Sequence, residues 1–230
     1  MTNEQTQYIV SAIMELFSKT VAAIMLIILS PLLLLISAGS LFFQRFPILF
    51  KQERVGYKFQ TFFLYKFRTM KINNVNQLVT EAGDKRITQW GKILRILKFD
   101  ELPQLWNIVR GDMRFIGPRP EVQKYVKGND FSFLEKIKPG LTDFSSILLR
   151  NETNILLRAG GVDKYTKLLE VKVKLGSLYA EQKNFWLDMK LVLLTLVSII
   201  LPKTAILLVK KLFIKKYEPE LLPVINEWLA

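Results

Sequence analysis

Two adjacent acids stand just before a proline, in the order Asp100-Glu101-Leu102-Pro103. An aspartate three residues before a first-turn proline is usually a helix N-cap, because its side-chain oxygen accepts hydrogen bonds from free backbone N–H groups. The alternative is functional. A carboxylate pair at a helix N-terminus lies where the helix dipole favours anions, and a metal ion could bridge the acids to a phosphate. The local pattern leaves both interpretations open.

The 230-residue sequence contains neither cysteine nor histidine. It therefore excludes a disulfide framework, a Cys/His zinc site, and Ser-His-Asp or Cys-His catalysis. Any acid–base or nucleophilic chemistry falls to carboxylates, lysines, tyrosines or hydroxyls. Any metal is expected to be a hard cation held by oxygen, and Mg²⁺ is the first choice.

An arginine between two prolines is a further candidate. Pro118 and Pro120 fix the backbone on both sides of Arg119, which gives its guanidinium a stiff mount. Such a mount suits bidentate recognition of phosphate, whereas the alternative is a rigid loop whose arginine faces solvent. Arg150, further along the chain, is another candidate anion ligand.

Two β-prone aromatic stretches, Ile48–Gln52 and Phe59–Phe67, flank Gly56 and predict a β-hairpin. Alternation along the second strand places Lys66 and Arg68 on one face, which makes both candidate phosphate-binding residues. The alternative is an edge strand with a solvated basic face.

The hairpin is followed by a polar stretch, residues 71–86, which predicts a loop, and then by Ile87–Leu97, which predicts a helix. Four apolar residues of this helix are spaced for one buried face: Trp90, Ile93, Leu94 and Leu97.

The N-terminal part of the chain is apolar and neutral, so the net charge of +13 lies entirely in residues 46–230. This arrangement indicates a membrane-attached domain that faces anionic headgroups or phosphates. Thr20–Gln44 is a run of 25 uncharged residues with Ser30 and Pro31 near its middle. Proline interrupts helical hydrogen bonding, and each half reaches only part-way across a hydrocarbon core of ~30 Å. A kinked spanning helix and a re-entrant helix-break-helix hairpin both fit these residues.

The C-terminal part is amphipathic. Phe185–Leu201 is apolar, and a lysine-containing stretch follows it. Both pieces fit helices that lie in a membrane interface. For the first piece, packing into the domain core is the alternative. We predict three parts: an apolar membrane segment over residues 1–45, a domain that carries the candidate catalytic residues over 46–182 and C-terminal helices over 183–230.

Six motifs in fixed order resemble the bacterial sugar transferase family, the monotopic phosphoglycosyl transferases. The resemblance extends from about Ser30 to Asn151, and more weakly to Leu201. The motifs are Lys51-Gln52-Glu53-Arg54-Val55-Gly56, Tyr65-Lys66-Phe67-Arg68-Thr69-Met70, Asp100-Glu101-Leu102-Pro103-Gln104-Leu105-Trp106-Asn107, Arg110-Gly111-Asp112-Met113, Gly117-Pro118-Arg119-Pro120-Glu121 and Lys138-Pro139-Gly140-Leu141-Thr142.

The resemblance implies a reaction and roles for five residues. Asp100 matches the aspartate that attacks the sugar-bearing phosphate of a UDP-sugar and expels UMP, and Glu101 matches the glutamate associated with Mg²⁺. A polyprenyl phosphate, typically undecaprenyl phosphate, then accepts the phosphosugar. Lys66 and Arg119 match basic residues important for activity, and Arg150 aligns with a phosphate-contacting arginine.

The resemblance also implies a fold and a location. It implies an α-rich α/β domain with a re-entrant hairpin broken at Ser30-Pro31, attached to the cytoplasmic face of the bacterial inner membrane. The sequence departs from the family pattern at Ser18 and over Asp143–Arg150. Because the second stretch lies near the family's substrate site, the sugar is left open, as are the glycan pathway and the formation of a homo-oligomer.

Two non-enzymatic hypotheses account for less of the sequence. A membrane-tethered nucleic-acid binder would explain the positive charge but leaves the acid pair and Arg119 without a use, so no nucleic-acid partner is expected. A structural anchor would explain the hydrophobic ends but predicts no release of UMP from a UDP-sugar.

Overall fold

The computed structural model describes residues 3–72, 83–159 and 165–229. The protein is rich in helix and contains a small antiparallel β-hairpin, which confirms the α-rich fold class. The described residues divide into two compact units. The first comprises residues 3–54, 61–72 and 85–115, and the second comprises residues 55–60, 83–84, 116–159 and 165–229.

The first unit contains a bent pair of apolar helices, a hairpin strand pair and two short helices. Their bounds are α1 (Asn3–Ile28), α2 (Ser30–Gln44), β1 (Leu49–Val55), β2 (Thr61–Phe67), α3 (Gln89–Ile96) and α4 (Gln104–Arg110). The β1–β2 pairing confirms the predicted hairpin, whose turn is the short 3₁₀ segment Tyr57–Phe59. Residues 73–82, the centre of the predicted loop, lie outside the described residues.

The break between α1 and α2 falls where the sequence predicts it. Pro31 lies in the first turn of α2, and the hydroxyl of Ser30 donates a hydrogen bond to the carbonyl of Ile27 at 2.7 Å. Within the described ranges, no single helix is long and apolar enough to cross a membrane. Ala12–Ile28 and Ser30–Gln44 meet the length and composition requirement only as a pair, bent by 61°.

Both helices of the bent pair contribute to cores of the first unit. Ala22 of α1 packs with Leu64 of β2 and with Leu105 and Ile108 of α4. A second cluster joins α2, β2 and α3 through Ile36, Phe67 and Leu94. The apolar helices are therefore built into the same packed unit as β2 and α4.

Helix α3 confirms the predicted helix but only part of its predicted buried face. Leu94 is buried, whereas Ile93 and Leu97 are 49% and 50% exposed, so the prediction that both are buried is wrong. Apolar spacing defines a face, but the neighbouring elements decide which part of it is covered.

Trp90 attaches α3 to α2. Its indole N–H donates to the hydroxyl of Ser40 at 2.9 Å. A Cβ atom at Gly39 would lie 2.6 Å from the indole ring, so only glycine leaves room for this contact.

The second unit is mostly helical. Its elements are β3 (Arg114–Ile116, of which Ile116 belongs here), α5 (Gln123–Val126), β4 (Gly140–Thr142), α6 (Phe144–Leu148), α7 (Glu152–Ala159), α8 (Tyr165–Gln182), α9 (Phe185–Ile200), α10 (Pro202–Val209), α11 (Lys215–Tyr217) and α12 (Leu221–Leu229). The backbone N–H of Gly117 donates to the carbonyl of Thr142 at 3.0 Å.

Helix α9 has two unlike faces. Leu191 and Ser198 are buried within the unit, and the Tyr179 hydroxyl donates to the carboxylate of Asp188 at 2.7 Å. On the other face, Trp186 and Ile200 are 72% and 80% exposed. The inner face of α9 thus packs into the second unit, which agrees with the interpretation that this stretch belongs to the domain core.

Candidate active site

Asp100 lies in a short 3₁₀ turn, Phe99–Glu101, and not at a helix N-cap. Lys98, the residue before the turn, has left-handed backbone angles with φ of 58°. Helix α4 begins only at Gln104, and the residue at its N-cap is Pro103, whose side chain contains no atom that can accept a capping hydrogen bond. The interpretation of Asp100 as the cap of this helix, one of the two that the sequence left open, is therefore wrong.

The side chain of Asp100 is a buried carboxyl group. Asp100 is 7% exposed, and among the described residues its buried Oδ1 atom has no hydrogen-bond partner. Burial raises the pKa of this carboxyl, and the neighbouring Glu101 raises it further. Lys66, Lys98 and Arg95 oppose the rise in pKa. Burial and Glu101 therefore outweigh the three cations, and the net effect disfavours the anionic form of this acid.

Glu101 and Lys66 lie together beside this acid. The Nζ atom of Lys66, on β2, is 3.4 Å from Oε1 of Glu101. Both side chains are partly buried, so the ion pair is screened less than an exposed one. The structure therefore brings together three of the predicted site residues, Asp100, Glu101 and Lys66.

Asn107 fixes β2 against α4, and sequence reasoning did not single it out. Its Oδ1 accepts the backbone N–H of Tyr65 at 3.1 Å, and its Nδ2 donates to the carbonyl of Phe63 at 2.7 Å. Nδ2 also donates to the Oδ2 atom of Asp112 at 3.1 Å. Asn107 has no exposed surface, so these bonds position the strand that carries Lys66. Its place in one of the six motifs was the signal that could have found it.

Arg68 contacts the end of α2. Its Nη2 atom donates to the carbonyls of Gln44 and Arg45, the latter at 2.7 Å. The Gln44 side-chain amide donates back to the carbonyl of Arg68 at 3.0 Å. A cation at the C-terminus of a helix interacts favourably with the helix dipole. These contacts position α2, and the phosphate-binding role of Arg68 stays a prediction.

The other two predicted arginines belong to the second unit. Pro118 and Pro120 are buried and Arg119 between them is half-buried, which agrees with the predicted rigid mount. Arg150 follows α6, and its Nη1 atom donates to the carbonyl of Ser198 in α9 at 2.5 Å. That contact leaves the phosphate-binding role of Arg150 a prediction too.

The acid pair fits a metal that arrives with its substrate. Among the described residues there is no group of three or more acidic side chains that could form a metal site by itself. Mg²⁺ is, however, commonly held by one or two carboxylates together with substrate phosphates. Asp100 and Glu101 supply two adjacent carboxylates, and the unpartnered Oδ1 of Asp100 is an available hard ligand.

The chain belongs to the bacterial sugar transferase family, whose sequence model matches residues 9–202. This confirms the family indicated by the six motifs.

Proteins of known name extend this result. A UDP-glucose:undecaprenyl-phosphate glucose-1-phosphate transferase of Klebsiella pneumoniae is 31% identical over 195 residues, 80% of this chain and 39% of that protein. A transferase of the same name from Caulobacter vibrioides is 32% identical over 78% of this chain and 66% of its own length. The chain spans about two fifths of several such relatives.

The relatives do not share one sugar. A UDP-N-acetylgalactosamine-undecaprenyl-phosphate N-acetylgalactosaminephosphotransferase of Aeromonas hydrophila is 30% identical over 161 residues, 67% of this chain and 36% of that protein. Similarity at this level therefore does not select glucose or N-acetylgalactosamine for this chain.

Proposed function

We propose that this protein transfers a sugar-1-phosphate from a UDP-sugar to polyprenyl phosphate, with undecaprenyl phosphate as the expected acceptor, and releases UMP. The observation that carries the proposal is the buried carboxylate of Asp100, whose Oδ1 has no hydrogen-bond partner in the part of the chain that the structure describes. The names of the relatives, which specify sugar-phosphate transfer to undecaprenyl phosphate, support the same reaction.

The first half-reaction uses Asp100 as the nucleophile. A carboxylate oxygen attacks the phosphorus that carries the sugar; the new oxygen–phosphorus bond forms as the bond to UMP breaks. An ionised carboxylate needs no general base, which suits a protein without histidine. The raised pKa makes the carboxylate more basic, and Lys66, Lys98 and Arg95 favour its ionised form.

The second half-reaction restores the enzyme. A phosphate oxygen of the polyprenyl phosphate attacks the phosphosugar-aspartate, forms the sugar-bearing diphosphate and releases the carboxylate of Asp100. Splitting one displacement into two allows the donor and acceptor to react in turn.

Positive charge is needed because an anion attacks an anionic pyrophosphate. We propose that Lys66 and Arg119 contact substrate phosphates, and that Arg150 contributes after release from Ser198. Glu101 and Asp100 would hold Mg²⁺, which when bound neutralises charge on the pyrophosphate. Chelation by EDTA is expected to stop UMP release and added Mg²⁺ to restore it; full activity in EDTA contradicts the metal proposal.

We place the catalytic part at the cytoplasmic face of a bacterial inner membrane, with α1 and α2 forming a re-entrant hairpin. The 61° bend and the Ser30 hydroxyl bond to Ile27 support this topology, since a break within lipid must satisfy its own polar groups. In this setting the reaction begins the assembly of a bacterial glycan.

The topology is tested by labelling single cysteines in intact cells, since the sequence has no native thiol. Thr2→Cys and Asn226→Cys should both resist a membrane-impermeant maleimide. Pro31→Leu, which restores a continuous apolar helix, should make Thr2→Cys reactive. Labelling of Thr2→Cys without Pro31→Leu contradicts the re-entrant topology.

The reaction is tested by a screen for UMP release over UDP-sugars with undecaprenyl phosphate and Mg²⁺. Release should require one of the sugars, and a trapped sample should show the mass of one phosphosugar on the peptide that contains Asp100. Asp100→Asn should show neither, whereas Asp130→Asn, at an exposed aspartate, serves as the matched control. Absence of UMP release with every UDP-sugar contradicts the proposal.

A further inference from the structure

The second unit contains a buried cluster of charged side chains that the proposed reaction does not use. Lys172 of α8 is 8% exposed. Its Nζ atom lies 2.9 Å from Oε1 of Glu121, 3.0 Å from Oε1 of Glu152 and 3.1 Å from the hydroxyl of Tyr165. The Tyr165 hydroxyl also donates to Oε1 of Glu121 at 3.1 Å. We call these four residues the Lys172 cluster.

The two acids of the Lys172 cluster adjoin the two predicted phosphate-binding arginines of this unit. Glu121 directly follows the segment Pro118-Arg119-Pro120, and Glu152 begins α7 two residues after Arg150. The backbone carbonyl of Glu121 also accepts the N–H of Val55 at 2.9 Å. One ammonium group therefore holds the chain at two points, each of them within two residues of a candidate arginine.

The electrostatics keep the Lys172 cluster charged. Burial by itself lowers the pKa of Lys172, but Glu121, Glu152 and Tyr165 together raise it by more, so the ammonium form persists. Buried ion networks often add little net stability compared with well-packed apolar residues, yet they restrict geometry because each charge requires its partner in place. A network of this kind suits the positioning of a loop.

We propose that Lys172 is a positioning residue for sugar-phosphate transfer: through Glu121 and Glu152 it holds the backbone segments that carry Arg119 and Arg150. The inference rests on the proposed function, in which these arginines contact substrate phosphates. A network that only supports the fold would affect catalysis independently of Arg119, and this difference can be measured.

The first test is a double-mutant cycle on UMP release by the full chain. Lys172→Met should lower kcat/KM at least tenfold, whereas Lys174→Met, at an exposed lysine of the same helix, should leave it within twofold. In the background of Arg119→Lys, the same Lys172→Met change should cost less than threefold. An equal cost in both backgrounds, or no cost in the first, overturns the proposal.

Glu121→Gln provides a second variant should Lys172→Met fail to fold. It removes one carboxylate but leaves Lys172 paired with Glu152. The same loss of kcat/KM and the same reduced cost in the Arg119→Lys background are expected, and additive effects again overturn the proposal.

A second measurement does not depend on activity. Amide hydrogen exchange over residues 117–122 should be faster in Lys172→Met, or in Glu121→Gln, than in the unmodified protein and in Lys174→Met, while exchange in Gln104–Arg110 stays unchanged. Failure of the unmodified protein to release UMP contradicts the proposed function alone. Unchanged exchange over residues 117–122 contradicts the positioning role of Lys172, whatever the reaction is.

Discussion

Asp100 in the first unit and Lys172 in the second are both buried charged residues, but their surroundings differ. Lys172 has three polar partners within 3.1 Å, and two of them are carboxylates. The Oδ1 atom of Asp100 has no hydrogen-bond partner within residues 3–72, 83–159 and 165–229, and burial raises the pKa of its carboxyl. A buried charge whose partners are all present holds neighbouring segments in place, whereas one with an unpartnered atom is available to a substrate.

The largest effect is expected from Asp100→Asn, which should abolish UMP release and also stabilise the fold. Because the folded-state pKa of Asp100 is raised, the unmodified protein loses stability as pH rises from the ordinary aspartate pKa of about 3.9 through the raised value. The asparagine does not ionise. The gap in thermal midpoint between the two proteins should therefore widen with pH over this range and close at lower pH. Equal midpoints at neutral pH would remove the contrast with Lys172.

Lys172→Met should instead destabilise the protein, by about 3–5 kcal/mol, because it leaves Glu121 and Glu152 without the ammonium group. Denaturant unfolding at neutral pH measures this loss. Adding Glu121→Gln should restore part of it, since one of the two stranded charges is removed. A loss below 1 kcal/mol would mean that the Lys172 cluster does not constrain the second unit.

Arg119→Lys should lower the rate of UMP release at least tenfold, or about 1.4 kcal/mol of transition-state stabilisation. Lysine keeps the charge but loses the planar fork that two buried prolines hold in place. Steady-state kinetics with the best UDP-sugar measure the change, and Lys124→Arg, at an exposed lysine of α5, is the control. Equal rates for Arg119→Lys and the unmodified protein would leave Arg119 a purely electrostatic role.

The smallest expected effect is a displacement of the pH profile by Lys66→Met, which accompanies a lower rate at the plateau of that profile. Activity requires ionised Asp100, so it rises as pH rises through the pKa of that carboxyl. Lys66 lowers this pKa, and its removal should move the acid limb of kcat/KM to higher pH. Lys51→Met, at an exposed lysine of β1, should leave the limb unchanged. A limb that does not move would mean that Lys66 acts on the substrate alone.

The features that the sequence predicted are those decided by local chemistry. The break at Ser30-Pro31 follows from a missing N–H donor and a nearby hydroxyl, and the hairpin around Gly56 follows from alternating β-prone residues. The resemblance supplied the family and the roles expected of the acid pair. Each of these signals comes from residues that lie within a few positions of one another along the chain.

The features that the sequence missed depend on partners far along the chain. Asn107 hydrogen-bonds residues more than 40 positions away, and Lys172 reaches Glu121 across 51 positions. The sequence left open whether Asp100 is an N-cap, because an acid before Pro103 looks the same in a cap and in a 3₁₀ turn. The left-handed Lys98 decides between them, and no local pattern announces it.

The contact of Trp90 with Gly39 and Ser40 fixes the rotation of α2 about its own axis. Gly39 has no side chain and so leaves room for the indole ring, and the Ser40 hydroxyl accepts a hydrogen bond from the indole N–H. A shift of α2 by one residue rotates its surface by about 100°, which would move Gly39 and Ser40 away from Trp90. The angular setting of α2 about its own axis is thus transferred to α3, whose C-terminal end leads into the turn that holds Asp100. The orientation of an apolar helix is thereby related to the segment that carries a buried acid.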